Sequence, residues 1–250
     1  MDRMIYVAMS GASQALDQQA TIANNLANAS TAGFRAQLAA YRSVPVESGK
    51  SGDATTRTYA LTTNPGTDYT PGPIDRTGNP YDVAVQGSGW LTVQTADGNE
   101  AYTRAGNFHV NNSGQLVNNT GLPVMGNGGP IAIPPGSTID IAEDGTISAL
   151  AAGAPATNIT VLDKLKLVNP APGALTRSDD GLFRGTDGKP EPADPTMHVL
   201  SGSLEGSNVN PVQAMVAMID NARAFQMHMK LLDMASSNEQ AANQLLNFSN

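Results

Sequence analysis

The sequence predicts an α+β protein. A helix at each end pairs with the other as a coiled-coil module, and an extended connector and a mainly antiparallel β domain are inserted between them. Three observations predict it. Apolar residues near both termini recur at alternating three- and four-residue spacings, the pattern by which helices supercoil against one another. Between residues 81 and 200 the apolar period falls to two, with Gly-containing turns separating short runs, as in antiparallel strands. Residues 36–80 are dense in Pro, Gly, Ser and Thr, which excludes regular helix. The expected divisions are 1–35 for the N-terminal helix of the assembly module, 36–80 for the connector or hairpin, 81–200 for the β domain, and 201–250 for the return segment and C-terminal helix.

The N-terminal helix is expected from Arg3 to Thr31, about 43 Å at 1.5 Å per residue. Its stripe is Ile5, Met9, Ala12, Leu16, Ala23 and Leu26, with Gln19 as a polar interruption. Gly33 can supply the left-handed residue that ends it, with Phe34 as an apolar latch. Alternating strands are expected at Asp82–Gln86 and Trp90–Gln94, then at Ala101–Arg104, Phe108–Val110, Gln115–Val117, Ile131–Ile133, Thr138–Ile141 and Thr146–Leu150. A small-residue loop follows at Ala151–Thr157, and Ile159–Val168 reads as one further strand. Asn169–Pro195, rich in Pro, Gly and Asp, reads as a surface excursion, and Met197–Leu204 as a strand leading back. In the C-terminal helix Asn210 suits the N-cap, Pro211 the first turn and Gln213 the capping-box position. Its stripe runs through Met215, Met218, Ala222, Phe225, Met229 and Leu232.

Composition narrows the chemistry. The formal net charge is −8 without a basic cluster, which argues against nucleic acid as a partner. Charged residues are 14% of the chain, well below the usual quarter, and Asn, Gln, Ser and Thr fill the gap, a composition common in extended β-rich extracytoplasmic proteins. Cysteine is absent, which removes disulfides, thiolate metal sites and cysteine nucleophiles. No apolar run approaches the ~18 residues of a membrane span, so no membrane insertion is expected. The N-terminal stretch, with Asp2 beside Arg3 and polar residues at helical spacing, does not read as a cleaved secretory signal; a cytosolic chain, or one exported without cleavage, is expected.

His109, His198 and His228 fall in separate elements without the i, i+4 partner of helical zinc sites. Asp97, Asp144, Asp180 and Asp187 each precede Gly, where turn chemistry accounts for them better than a carboxylate pair for glycoside hydrolysis. Trp90 could serve as a ligand platform, the basis of a rival reading as a secreted carbohydrate-binding β module, but a lone Trp on an alternating strand is more often core. No catalytic, cofactor or metal site is expected, and the chain is not read as an enzyme. Two narrow Ala- and Met-rich helices leave apolar surface uncovered even when paired, which favours assembly over a private core.

The segment Asn24-Asn25-Leu26-Ala27-Asn28-Ala29-Ser30-Thr31-Ala32-Gly33-Phe34-Arg35 resembles the signature of bacterial flagellar rod, hook and related axial proteins. Leu204-Glu205-Gly206-Ser207-Asn208-Val209-Asn210 is similar to that family's second signature. Asp82 through Trp90, and Tyr102-Thr103-Arg104-Ala105-Gly106, resemble its β core. Within the family, the size and the Phe34–Val46 run look most like a proximal rod subunit, with another rod or hook-type protein as the alternative. The resemblance implies a structural subunit of the shaft that carries motor torque across the periplasm, exported by the flagellar type III apparatus. Its partners would be its own copies and neighbouring proximal and distal rod proteins. The assembly surface would comprise Ile5, Met9, Leu16, Leu26, Met215, Met218, Ala222, Phe225, Met229 and Leu232. The motif positions are Asn24, Asn25, Leu26, Asn28, Gly33, Phe34, Ser207, Asn208 and Asn210. Lack of cysteine suits a chain that works in an oxidising compartment.

Overall fold

The computed structural model describes residues 2–45, 58–151, 153, 155, 158–171 and 173–247. Connector residues 46–57, Val46 among them, and positions 152, 154, 156 and 157 of the expected small-residue loop lie outside the described residues. The chain divides into two compact units, one of residues 1–29, 36–68 and 209–250, the other of residues 30–35 and 69–208.

The first unit contains α1 (Asp2–Ala27), β1 (Gln37–Pro45), β2 (Thr58–Thr67) and α2 (Pro211–Asn247). β1 and β2 form an antiparallel ribbon from Gln37↔Thr67 to Pro45↔Thr58. Its register slips between Leu38↔Gly66 and Ala40↔Thr63, where Asn64 and Pro65 add a residue to β2 and Pro65 has no N–H for the ladder. α1 ends four residues before the expected Thr31. The Asn28 N–H reaches the Asn24 carbonyl at 3.1 Å and its side-chain Nδ2 takes the same oxygen at 2.9 Å, so the helix is closed by asparagine and not by Gly33. α2 begins where expected: Asn210 Oδ1 accepts the backbone N–H groups of Val212 (3.0 Å) and Gln213 (3.2 Å).

Among its described residues, the second unit is built from sixteen short strands. In chain order they are β3 (Ile74–Arg76), β4 (Val83–Val85), β5 (Trp90–Gln94), β6 (Glu100–Thr103), β7 (His109–Val110), β8 (Leu116–Val117), β9 (Met125–Gly126), β10 (Gly129–Pro130), β11 (Thr138–Ile141) and β12 (Thr146–Leu150), then β13 (Ile159–Lys164), β14 (Leu167–Val168), β15 (Leu175–Arg177), β16 (Phe183–Gly185), β17 (Val199–Ser201) and β18 (Ser203–Glu205). The pairings are antiparallel. The largest sheet has the order β14-β5-β6-β16-β15, and β11-β12-β13 form a second.

Alternation proved too simple for the central strands. Val83–Val85 are all buried, as are Trp90–Val93. β5 is covered on both faces: Leu91 and Val93 join the main core with Leu116, Ile131 and Ile147, while Trp90 joins Tyr102, Val168 and Phe183 in a second cluster. The expected excursion at Asn169–Pro195 is instead part of the main sheet. β16 pairs with β6 at Phe183↔Tyr102, and the Phe183 ring lies 4.5 Å from that of Trp90. Its Pro and Gly shape the turns around two short strands, each of which buries one apolar side chain, Leu175 and Phe183. Ile131 and Ile133 fill the core from irregular backbone held by Val124 and Gly114 carbonyls, not from a strand. The expected strand Ile159–Val168 is broken at Leu165 and Lys166, and Met197–Leu204 is split at Gly202.

Phe183→Ala tests whether residues 169–195 contribute to the core. Deleting a buried aromatic ring costs ~3–5 kcal/mol, against less than about 0.5 kcal/mol for a surface position. Urea unfolding followed at Trp90 measures the difference.

Candidate assembly interface

α1 and α2 pack antiparallel. Asn221 Nδ2 donates to the Ala15 carbonyl at 2.7 Å and to Gln19 Oε1 at 2.8 Å, and farther along α2 His228 lies over Gly11. The α1 side of this seam is Ala8, Ala12 and Ala15, all buried. Among the described residues of α2, the covered positions Ala214, Met218, Asn221, Phe225, His228, Leu232 and Ala235 follow a continuous four-and-three spacing, with Ala224 half-buried beside them.

The sequence-derived stripe thus straddles two faces. Met218, Phe225 and Leu232 turn towards α1, half-buried, whereas Met215, Ala222 and Met229 turn outward. On α1, Ile5 and Leu26 are half-buried, but Met9 is 54% and Leu16 57% exposed. A second outward row on α2 comprises Val212, Val216, Ile219 and Met234. The reason is geometric: a heptad ridge is one residue wide, and hydrophobicity does not distinguish two adjacent apolar ridges when only one meets the partner helix. Asn221 and His228 were missed as seam residues because both are polar. The hint was Gln19, a polar residue in the opposite stripe that could answer Asn221.

The motif residues separate into two groups. In the first unit Asn25 clamps the start of β1, its Nδ2 donating to the Gln37 carbonyl (2.9 Å) and its Oδ1 accepting the Gln37 N–H (2.8 Å). Asn24 and Asn28 close α1, Leu26 lies half-buried beside them, and Asn210 caps α2. In the second unit the two signatures, some 170 residues apart in the chain, meet directly. The Gly33 N–H donates to the Glu205 carbonyl at 2.7 Å, and the Asn208 N–H to the Phe34 carbonyl at 3.3 Å. Gly33 has φ +68°, and a Cβ there would lie 2.2 Å from the Arg104 carbonyl carbon, so only glycine fits. Phe34 is buried under the Arg177 guanidinium, 4.6 Å from its ring centre. Ser207 is buried, and Asn208 Nδ2 donates to the Thr70 carbonyl at 3.0 Å.

At the centre of this clasp, Glu205 is buried between two arginines. Oε1 lies 2.6 Å from Arg35 Nη2 and accepts the Gly72 N–H at 2.9 Å, while Oε2 accepts from Arg104 Nη1 at 2.9 Å. Arg104 also donates to the Gly87 carbonyl at 2.6 Å and stands 5.3 Å from the Trp90 ring centre. Burial pushes the Arg104 guanidinium down to about 10, with the Glu205 charge acting the other way and Arg35 adding to the fall. Arg104 therefore stays charged at neutral pH. None of its members was singled out in the sequence, although each lies within a segment that carries the resemblance.

Two of the Asp-Gly aspartates hold their own turns. Asp144 Oδ1 accepts the Thr146 N–H and Asp180 Oδ1 that of Leu182, each holding its turn. Asp180 is paired with Arg184. Trp90 is 4% exposed. Among the described residues no group of three or more His, Cys, Asp or Glu could hold a metal ion, and no helix is long and apolar enough to cross a membrane.

The model for "Flagella basal body rod protein" matches residues 5–35, that for "Flagellar hook protein FlgE/F/G D1 domain" residues 84–149, and that for "Flagellar basal body rod FlgEFG protein C-terminal" residues 200–245. The flagellar basal-body rod protein FlgF of Salmonella typhimurium is 54% identical over 255 residues, covering 100% of both chains. The chain belongs to the flagellar basal-body rod protein family. FlgF of Escherichia coli is 53% identical over the same full coverage, and FlgG of Buchnera aphidicola subsp. Acyrthosiphon pisum is 34% identical over 90% of this chain and 92% of its own. This FlgF-like rod protein is therefore a structural, non-enzymatic subunit of the flagellar basal body.

Removing the Glu205 carboxylate leaves two buried guanidiniums facing each other. Glu205→Ala is expected to cost ~3–5 kcal/mol of stability in urea unfolding, whereas an exposed pair would cost about 1 kcal/mol or less.

Proposed function

We propose that the chain is a proximal-rod subunit that polymerises through its terminal helices, pairing α1 and α2 as a coiled coil whose outer stripe packs on neighbouring subunits. The observation that carries this reading is the row of apolar side chains that the helix pair leaves outside. Met215, Ile219 and Met229 on α2, with Met9 and Leu16 on α1, are each between two-fifths and three-fifths exposed. Beside them a groove of about 350 Å³ is lined by Ala15, Leu16, Gln19, Ala222 and Phe225. Contiguous apolar surface of this kind marks association sites, and methionine adapts to more than one partner surface.

The expected neighbours are copies of this chain and other proximal and distal rod proteins, stacked head to tail in an open helical lattice. Close-packed interfaces resist sliding, which is how such a shaft carries torque across the periplasm. Passage through the flagellar type III export apparatus belongs to the same reading, and the absence of cysteine suits it, since no wrong disulfide forms on arrival. In this account residues 1–35 and 201–250 supply the assembly module, 36–80 the connector, and 81–200 the body. A glycan-binding reading would need an open aromatic face, which a Trp90 buried against Phe183 does not offer.

Two variants test the proposal in flagellated cells. Met215→Glu with Ile219→Glu alters outward positions only; the helix content and melting of the purified chain should stay unchanged while rod incorporation and motility are lost. Phe225→Asp, on the half-buried side, should also abolish incorporation while leaving the β unit folded. Normal motility in the double variant would refute assembly through this face.

A further inference from the structure

Over its buried middle, the seam between α1 and α2 is lined on the α1 side by small residues. Ala8, Ala12 and Ala15 present little relief, so apolar packing discriminates weakly between registers one heptad apart. A slip of seven residues would move one helix about 10.5 Å along the other. The outward methionines of α2 would then stand at a different level from Met9 and Leu16.

Two features break this degeneracy, and they lie one heptad apart on α2. Asn221 is 6% exposed, and its Nδ2 is shared between the Ala15 carbonyl and Gln19 Oε1. The imidazole of His228 occupies the space that Gly11 leaves open; a Cβ on Gly11 would stand 2.5 Å from His228 Cε1. Slipping α1 one heptad one way sets Asn221 against Ala8 and Ala12 and His228 against Met4. Slipping it the other way sets them against Ile22 and Leu26, and against Gln18. A backbone carbonyl faces Asn221 in every register, but a side-chain acceptor does so only in the native one, and only there does a glycine receive the imidazole. In a slipped register one N–H of the buried Asn221 amide loses its acceptor, and a buried donor left unsatisfied is costly, which turns a single contact into a choice between alignments.

We infer that the Asn221–Gln19 hydrogen bond, reinforced by the Gly11 notch for His228, is the register key of the helix pair. These are positioning residues: they set the level and azimuth at which the outward apolar row is offered to the next subunit. The inference rests on the reading of α1 and α2 as a pair that assembles through its outer face.

The cysteine-free chain allows a direct test in the full-length protein. Disulfide formation is compared in three reporters: Gly11→Cys with His228→Cys for the native register, and Gln18→Cys or Met4→Cys with His228→Cys for the two slipped ones. All three remove the imidazole, leaving Asn221 as the key under test. With Asn221 intact, only the 11–228 disulfide should form. Adding Asn221→Leu should raise a slipped disulfide roughly tenfold, while the melting temperature holds or rises because leucine replaces a buried polar group. Exclusive 11–228 pairing in the Asn221→Leu chain overturns the register key. Failure of the 11–228 disulfide with Asn221 intact overturns the helix pairing itself, a separate result.

Discussion

Glu205 holds its carboxylate in the interior between Arg35 and Arg104, and the second unit is arranged around that contact. The three residues come from the segment after the first helix, from the end of a central strand, and from the last strand before the second helix. Each ion is expensive to desolvate, and a single carboxylate meets two guanidiniums only if all three backbones are fixed. The neighbouring hydrogen bonds do the fixing. Gly33 and Asn208 stitch the two signatures together, Gly72 donates to the carboxylate, and Arg104 reaches the Gly87 carbonyl. Such a network is worth more than its separate pairs, because each member would be buried and unpaired without the others.

The first unit faces a different constraint. A helix whose inner face is alanine approaches its partner closely but buries little area, so it cannot cover the methionines and branched residues on its flanks. The apolar surface left over is a consequence of the seam's narrowness. Within the chain, the seam's specificity comes from polar and missing atoms: an amide bridging two helices, and a glycine where an imidazole needs room.

Much of this was legible in the sequence where a local rule had no competitor. Asn210 and Pro211 located the start of the second helix, and the Asp-Gly pairs read as turns are held by side-chain oxygens at Asp144 and Asp180. Gly33 was recognised as needing a left-handed backbone, but its reason is the Arg104 backbone against it and not the helix end. The misreadings share a cause, since each turned on what packs against a segment from far away. Phe183 sits among Pro, Gly and Asp and becomes core only because Trp90 and Tyr102 lie beneath it. Trp90–Val93 do not behave as a half-buried strand because a second cluster covers the other face. On the helices, period alone could not say which of two adjacent ridges meets the partner, so the stripe read from sequence mixed covered and open positions.

A reconstruction of the rod within intact basal bodies, resolved well enough to trace side chains along residues 211–232, tests the central claim most directly. The account predicts Met215, Ile219 and Met229 covered by a neighbouring subunit, with Ala8, Ala15 and Asn221 enclosed within one chain. Those methionines facing solvent in the assembled rod, with subunits joined only through their β units, would contradict it.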